Sequence, residues 1–449
     1  MDRDTAINGI LLIYHYPLNI NAPTILQHVE AFSRHSQFKV WSINTQKGFP
    51  PGLQSLRFRV VLLHYTLFGF WPYEQLNDQF LRYIAESKDS YLIAFFQDEY
   101  RFCKPRFDFV NHFGVDCIYT LLEPNQFDAV YGKYTKAKSL IYTIPGYVSD
   151  ELVELGKRLT KPDEERNIDI GYRGRRLEHY MGKGAQEKID IARIFSERSR
   201  VLGLTLNIGT EENQRIYSEG WYKFLSDCKG CLGVEAGVSI FDLEDKVRTR
   251  CERLLSENPG LSFAELSSKL LDQWEDNVYY RTISPRHFEA AALRVCQILF
   301  EGRYSGIMQP MVHYIPLKKD FSNFDEVIRL FRNRDMRHQL TDNAYRDMIA
   351  SGTYSYRSFI ESFDEHLFDK GISSQINKDE AKKVSAVLAK VRIYSYFLTF
   401  LKMIRYYPFP GKAYLTDTSL IKPLVEKYRH YRRSRLERDH NIYRKEGNS

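Results

Sequence analysis

The sequence predicts an α/β protein with two similar halves, each built on a parallel β-sheet. Short apolar runs alternate with amphipathic segments over residues 9–148, which is typical of parallel strands joined by helices. A polar break at residues 157–167 (KRLTKPDEERN) is followed by a restart of the same alternation. The composition, with 43% hydrophobic and 27% charged residues in 449, is that of a globular protein and excludes wholesale disorder.

The first half contains six apolar runs that we predict as strands, at residues 9–15, 38–43, 58–64, 91–97, 117–120 and 139–142. Two amphipathic segments, residues 23–32 and 75–85, are predicted helices, and Pro23 suits a first helical turn. Continuously apolar strands indicate a sheet covered on both faces.

The second half repeats the pattern. We predict strands at residues 168–172, 204–208, 231–234, 297–300 and 313–317, and helices at 185–197, 219–226, 324–332, 334–350 and 356–367. Residues 241–276 interrupt it with a charged helical segment, predicted to be a surface insertion, in which Ser262 and Glu265 have the spacing of a capping box.

The expected domains are therefore residues 1–156, a linker at 157–167, and residues 168–369 including the insertion. Ligands of open parallel sheets bind beyond the carboxyl ends of the strands. We expect two Rossmann-like domains facing a cleft, followed by a basic, aromatic helical extension at residues 379–449.

The net charge of +7 is concentrated in that extension, because residues 380–449 hold 16 Lys and Arg against 6 Asp and Glu. Residues 390–407 have an apolar core too short to span a bilayer. We predict that residues 390–438 contact an anionic membrane surface; docking on the protein body is the alternative. No nucleic-acid motif is found, so nucleic acid is not a predicted partner.

Six scattered cysteines are typical of a reducing compartment. The amino-terminal residues lack the features of a signal peptide. The predicted location is cytoplasmic, peripheral to the inner face of the membrane if the extension binds lipid.

The most informative segment is residues 283–323 (ISPRHFEAAALRVCQILFEGRYSGIMQPMVHYIPLKKDFSN). Together with residues 168–175, 232–242 and 96–100, it resembles the donor-binding segment of bacterial GT-B glycosyltransferases, near the group-1 and spore-maturation-protein-like branches. The resemblance implies transfer of a hexosyl or related sugar from a nucleotide-sugar donor to a hydroxyl acceptor. The implied acceptor is a cell-surface polysaccharide or a lipid-linked glycan precursor. The alternative is a non-catalytic sugar-nucleotide-binding or scaffolding subunit.

The resemblance places Glu289 at the family's ribose-binding glutamate. The amides of residues 284–286, which include Ser284, and the Arg286 side chain would face the diphosphate, and His287 is a further predicted donor-binding residue. The alternative for Glu289 is a helix-start residue favoured only by the helix dipole. Related retaining enzymes carry a second glutamate eight positions earlier, where this chain has Arg281; Glu235 is the candidate substitute.

A second donor-binding segment is predicted at the end of the first strand of the second half, where Gly171, Tyr172, Arg173 and Arg175 lie close together. Glycine permits close backbone approach, and arginine binds diphosphate through two hydrogen bonds. We favour Arg173 over Arg175 because it is nearer the strand end, and Lys183 would add a further positive charge. A solvated basic loop is the alternative.

Candidate catalytic residues are His64, Asp98 and Glu99, which follow strand ends in the first half. Asp98 or Glu99 would take the proton of the acceptor hydroxyl, and His64 would orient the acceptor or the donor phosphate. The alternatives are a core histidine for His64 and a helix cap or salt bridge for Asp98.

No metal or cofactor is predicted. Cys228 and Cys231 form a single C-x-x-C without a second pair or a histidine cluster, so they are interpreted as structural thiols rather than zinc ligands.

Overall fold

The computed structural model describes residues 6–17, 23–69 and 73–389. The described residues up to Ala386 belong to one compact unit. Most of the predicted extension, including residues 390–438, lies outside the described residues.

The N-terminal half is a six-stranded sheet in which every neighbouring pair is parallel, in the order β2-β1-β3-β4-β5-β6. Its strands are β1 Ile7–Tyr14, β2 Val40–Asn44, β3 Phe58–Leu63, β4 Tyr91–Phe95, β5 Cys117–Thr120 and β6 Ser139–Tyr142. Its helices are α1 Pro23–His35, α2 Asp78–Glu86, α3 Cys103–Phe113 and α4 Asp150–Leu159.

The C-terminal half holds a five-stranded parallel sheet in the order β13-β12-β9-β7-β8, and a small antiparallel pair, β10 and β11. Its strands are β7 Ile168–Arg173, β8 Leu206–Gly209, β9 Cys228–Gly233, β10 Ala236–Val238, β11 Tyr280–Thr282, β12 Cys296–Phe300 and β13 Ile315–Leu317. Its helices are α5 Lys183–Ser199, α6 Ser218–Ser226, α7 Val247–Glu257, α8 Phe263–Leu266, α9 Pro285–Ala292, α10 Phe324–Arg332 and α11 Arg334–Tyr345. The predicted arrangement of two Rossmann-like halves facing a cleft is confirmed.

Helix α12, Tyr356–Asp369, packs on the N-terminal sheet. Its apolar face, which includes Phe359, Ile360 and Phe363, lies in one buried cluster with the strands of that sheet. The Asp364 carboxylate accepts hydrogen bonds from the Ser36 hydroxyl and the Gln37 amide. Residues 356–369 therefore pack with the first half, which corrects the predicted boundary at residue 369.

The predicted linker also begins later than residue 157, because α4 continues to Leu159. Helix α4 packs on α9 of the other half so closely that a Cβ on Gly156 would lie 2.5 Å from the Ala292 carbonyl oxygen. The two halves thus share a tightly packed contact behind the cleft.

Candidate functional site

A cavity of about 560 Å³ opens at the carboxyl ends of β7 and β9, between α5, α6 and α9. Pro23 and Thr24, at the start of α1, line it from the N-terminal half. Its charged lining residues are Arg173, Arg175, Lys188, Arg215, Arg286, Glu235 and Glu289. Five basic groups against two carboxylates give the cavity an excess of positive charge, which suits an anion.

Glu289 lies on α9 with 7% of its surface exposed, and it lines the cavity. Trp221 of α6 donates its indole N–H to Glu289 Oε2 at 2.7 Å. Burial raises the pKa of Glu289, and the Trp221 hydrogen bond and the Arg286 charge oppose that rise. A buried carboxylate with one oxygen held in place can accept hydrogen bonds from a ligand with its remaining lone pairs.

The start of α9 holds the other three predicted residues of this segment in the cavity wall. The Ser284 side chain caps the helix at Arg286, and the Ser284 amide donates to His287 Nδ1 at 3.0 Å. Because Nδ1 accepts that bond, the proton of the neutral ring is on Nε2. Burial lowers the pKa of His287 to about 3, so this ring is an uncharged hydrogen-bond donor.

Arg286 is exposed at the cavity, and its guanidinium lies 5.0 Å from the centre of the Trp221 ring. It also donates to the Arg173 carbonyl oxygen. This contact joins the start of α9 to the end of β7.

The preference for Arg173 over Arg175 is reversed by the geometry. The Arg173 guanidinium donates to the Tyr172 carbonyl and to the backbone and side chain of Asn207, each at 2.8 Å, and lies on the Phe224 ring. Arg175 is exposed at the cavity and has no hydrogen bond or ion pair within the described part of the chain. Arg175 is therefore the arginine available to a ligand.

Gly171 and Tyr172 line the cavity, but their contacts are structural. A Cβ on Gly171 would lie 2.4 Å from Cys228 Sγ, so this glycine is required for packing of β7 on β9. The Tyr172 hydroxyl donates to the Lys188 carbonyl at 2.9 Å and ties β7 to α5.

Lys183 does not reach the cavity. Its ammonium pairs with Asp272 at 2.9 Å on an exposed surface, and its amide donates to Glu275. Lys188, five residues further along α5, lines the cavity instead and has no ion pair in the described ranges. Burial lowers the pKa of Lys188 to about 8, opposed by the charge of Asp98 from the other half.

Sequence reasoning missed Lys188, although a signal was present. Positions 184, 188, 191 and 195 lie on one face of a helix, and Gly184, Ile191 and Phe195 are buried. A lysine in the apolar stripe of an amphipathic helix is unusual and indicates a buried partner or ligand.

Glu235 lies at the cavity with its carboxylate already occupied. Its Oε1 accepts the backbone N–H groups of Arg303 and Tyr304, at 3.1 and 2.7 Å, and the Tyr279 hydroxyl at 3.2 Å. Gly302 packs directly on this carboxylate. The geometry assigns Glu235 to holding the 302–304 turn, which weakens its predicted role as a second sugar-binding carboxylate. Arg281 pairs with Glu187 through two hydrogen bonds.

His64 is fully buried in the N-terminal half, and its position corrects the predicted catalytic role. Its Nε2 lies 3.0 Å from His28 Nδ1 and its Nδ1 lies 2.9 Å from the Thr66 hydroxyl. Burial lowers the pKa of His64 well below its ordinary value, and the neighbouring His28 adds to the effect. A fully buried ring does not reach an acceptor or a donor phosphate, so it orients neither.

Glu99 is likewise fully buried. Its carboxylate accepts hydrogen bonds from the Thr120 and Tyr131 hydroxyls and the Leu121 amide. Burial raises the pKa of Glu99, and these hydrogen bonds oppose the rise. Glu99 is a structural centre of the first half rather than a base.

Asp98 is the one predicted catalytic residue that remains exposed. Its backbone has φ of +51°, a left-handed conformation that aspartate tolerates better than most residues. Its charge acts on Lys188 across the cleft. Position and chemistry leave Asp98 as the candidate base.

Residues 6–17, 23–69 and 73–389 contain no group of three metal-ligating side chains. In the same part of the chain, no helix has the length and apolar character needed to cross a bilayer.

The sequence matches no protein-family model and no curated protein. Solved structures do resemble the fold. A glycosyltransferase from Rickettsia africae is 9% identical with a TM-score of 0.45, covering 81% of this chain and 98% of its own. HepE from Anabaena in complex with UDP-glucose is 9% identical with a TM-score of 0.45, covering 80% and 99%.

Sucrose-phosphate synthase from Thermosynechococcus elongatus is 12% identical with a TM-score of 0.45, covering 82% of this chain and all of its own. The chain spans about half of TarM, at 53% of that protein's length, 9% identity and a TM-score of 0.38. At these identities and TM-scores the similarity assigns no activity.

Proposed function

We propose that this protein is a glycosyltransferase that binds a nucleotide-sugar donor in the cavity between its two sheets. One observation carries the proposal. The buried Glu289 carboxylate, held by Trp221, shares the cavity with Arg175, Lys188 and Arg286. A carboxylate suits a ribose diol, and unpaired cations suit a diphosphate.

In the proposed reaction, each of these groups has a defined role. The acceptor oxygen bonds to the anomeric carbon while the bond from that carbon to the phosphate oxygen breaks. The acceptor proton passes to Asp98, and the nucleoside diphosphate leaves with the electron pair of the broken bond. The positive charges of Lys188, Arg175 and Arg286 stabilise the charge that develops on the leaving group.

Because those cations can neutralise the leaving group, we propose that transfer needs no resident metal. Activity that persists in excess EDTA is the expected result. Loss of activity that Mg²⁺ or Mn²⁺ restores would contradict this part of the proposal.

A thermal-shift screen of the common nucleoside diphosphates tests donor binding directly, since a ligand that binds only the folded state raises the melting temperature. We expect one or more nucleoside diphosphates to raise it, and the matching monophosphate to raise it less. No shift with any of them at millimolar concentration would contradict the proposal.

The non-catalytic alternative is favoured by one finding: two of three predicted catalytic residues, His64 and Glu99, are buried. Consumption of a nucleotide-sugar, measured as release of the nucleoside diphosphate, separates the two functions. Release that is lost in Asp98→Asn supports the enzyme, whereas binding without release supports the alternative. Sugar, acceptor class and membrane contact stay predictions of the sequence.

A further inference from the structure

The turn between β4 and α3, in the N-terminal half, is held by residues of the C-terminal half. The Tyr280 hydroxyl accepts the Glu99 amide at 3.2 Å and lies 3.3 Å from Glu99 Oε1. The Asp242 amide, at the start of the insertion, donates to the Tyr100 carbonyl at 2.8 Å. These contacts join the two halves directly.

A third contact caps a helix from across the cleft. Helix α3 begins after Phe102, whose side chain offers no hydrogen-bond acceptor and whose φ is +53°. Asp245 of the insertion accepts the amides of Cys103 and Lys104, each at 2.9 Å. A carboxylate at this position satisfies free N–H groups and complements the helix dipole. Helix α3 therefore obtains its cap from the other half of the molecule.

Hydrogen bonds within the insertion hold it where it makes this contact. The Asp242 carboxylate accepts the amides of Lys246 and Arg248, at 2.9 and 3.0 Å, just before and within the first turn of α7. The Arg248 guanidinium lies 5.3 Å from the centre of the Phe102 ring. Residues 241–248 therefore contact both the rest of the insertion and the N-terminal half. The insertion is thus more than the surface element that the sequence predicted.

We propose that Asp242, Asp245 and Tyr280 form an interdomain clamp that fixes the β4–α3 turn to the donor-binding half and so positions Asp98 opposite Lys188. Asp245 and Tyr280 are positioning residues. The clamp follows from contacts alone, and its effect on Asp98 rests on the proposed function. The chain joins the halves after α4 and again before α12, and the clamp adds a further, non-covalent connection that restricts opening.

Spin labels on the two halves of the full-length protein test the clamp without any ligand. Asp89 in the first half and Val201 in the second are exposed, Val201 by 90%. Replacing both with cysteine permits a distance measurement by double electron–electron resonance. Five native cysteines are buried and Cys231 is half-buried, so the protein without the added cysteines measures background labelling.

Two clamp variants are compared with one matched control. Asp245→Ala removes the cap of α3, and Tyr280→Phe removes only a hydroxyl. The control, Asn77→Ala, removes a similar cap from α2, where Asn77 accepts the amides of Gln79 and Phe80 within the first half. We expect both clamp variants to broaden the distance distribution and add a longer population, and the control to leave it unchanged. Unchanged distributions in both clamp variants, or an equal change in the control, would overturn the proposal.

Kinetics then test the positioning role. If release of nucleoside diphosphate is observed, Tyr280→Phe and Asp245→Ala should lower kcat by about tenfold to a hundredfold, as expected for a misplaced catalytic group. Donor KM should change less than twofold, and Asp245→Asn, which keeps a capping oxygen, should restore most of kcat. An equal rise in donor KM would contradict positioning of Asp98. If the protein binds no nucleotide but the clamp variants still change the distance distribution, the proposed function is refuted and the clamp is supported.

Discussion

Replacing Glu289 with glutamine tests whether its carboxylate binds a ligand or only stabilises the fold. Glutamine keeps the volume and an acceptor for the Trp221 indole, which donates at 2.7 Å. It removes the charge that we assign to the ribose diol. Hydrogen bonds to a charged group contribute about 1.5–3 kcal/mol each, so loss of most of two such bonds should cost about 2–4 kcal/mol. That corresponds to a Kd roughly 30- to 1,000-fold weaker.

The free protein should tolerate the same change. The raised pKa of Glu289 means that its ionised form is disfavoured by folding. Such a group adds stability below its unfolded pKa and loses it as pH rises through its folded pKa. At neutral pH, Glu289→Gln should therefore leave the melting temperature unchanged or higher.

Isothermal titration calorimetry with the nucleoside diphosphate that gives the largest thermal shift measures the affinity. Glu235→Ala is the control from the same cavity: it removes the acceptor of the Arg303 and Tyr304 amides and should lower the melting temperature. Unchanged affinity in Glu289→Gln, or a melting temperature several degrees lower, would refute the assignment of Glu289 to the ligand.

Three further results are expected. The pKa of Lys188 is lowered to about 8, so the affinity of the protein for a nucleoside diphosphate should fall between pH 7 and 9. The Lys188→Met variant should bind the nucleoside diphosphate more weakly at pH 7 and should not show this fall with pH. A pH profile that is the same in the variant would contradict a contact between Lys188 and the diphosphate. Arg175→Ala should weaken nucleoside diphosphate binding about tenfold or more without lowering the melting temperature. Arg173→Ala should lower the melting temperature, because the three hydrogen bonds of Arg173 are structural. Weaker binding in Arg173→Ala and a lower melting temperature in Arg175→Ala would instead support Arg173 as the ligand-binding arginine. Burial lowers the pKa values of His28 and His64, that of His28 to about 3. Their contribution to stability is therefore present above pH 6.5 and is lost on acidification by up to about 1.4 kcal/mol per pH unit for each ring. Calorimetry should show a melting temperature that falls from pH 7 to pH 5, and a melting temperature independent of pH would contradict neutral buried rings.

Helix α3 shows why part of the fold was not predicted from the sequence. Its start carries no capping residue, because the cap is Asp245, which lies 142 residues after Cys103. Long-range capping leaves no local signal. Helix α4 did carry signals, since Ser149 caps its start and Lys157 and Arg158 lie in its last turn. Its charged end was nevertheless assigned to the linker. The inner strands, such as β1, β3 and β12, were predicted well because burial on two faces leaves continuous apolar runs.

The candidate site was predictable where it is contiguous in sequence. Ser284, Arg286, His287 and Glu289 all line the cavity because one helix start presents them together. Position after a strand was a poorer guide, because it does not determine whether a side chain faces the cleft or the core. His64 illustrates this: it follows β3 directly and is fully buried.

The central claim is that Glu289 binds the ribose hydroxyls of a nucleoside diphosphate, and a double-mutant cycle with a chemically altered ligand tests it most directly. Calorimetry would measure four affinities: the unaltered protein and Glu289→Gln, each with the ribonucleoside diphosphate and with its 2′,3′-dideoxy form. We predict that removal of the hydroxyls weakens binding to the unaltered protein strongly and to Glu289→Gln hardly at all. Equal losses in the two proteins would show that Glu289 does not contact the ribose and would contradict the account.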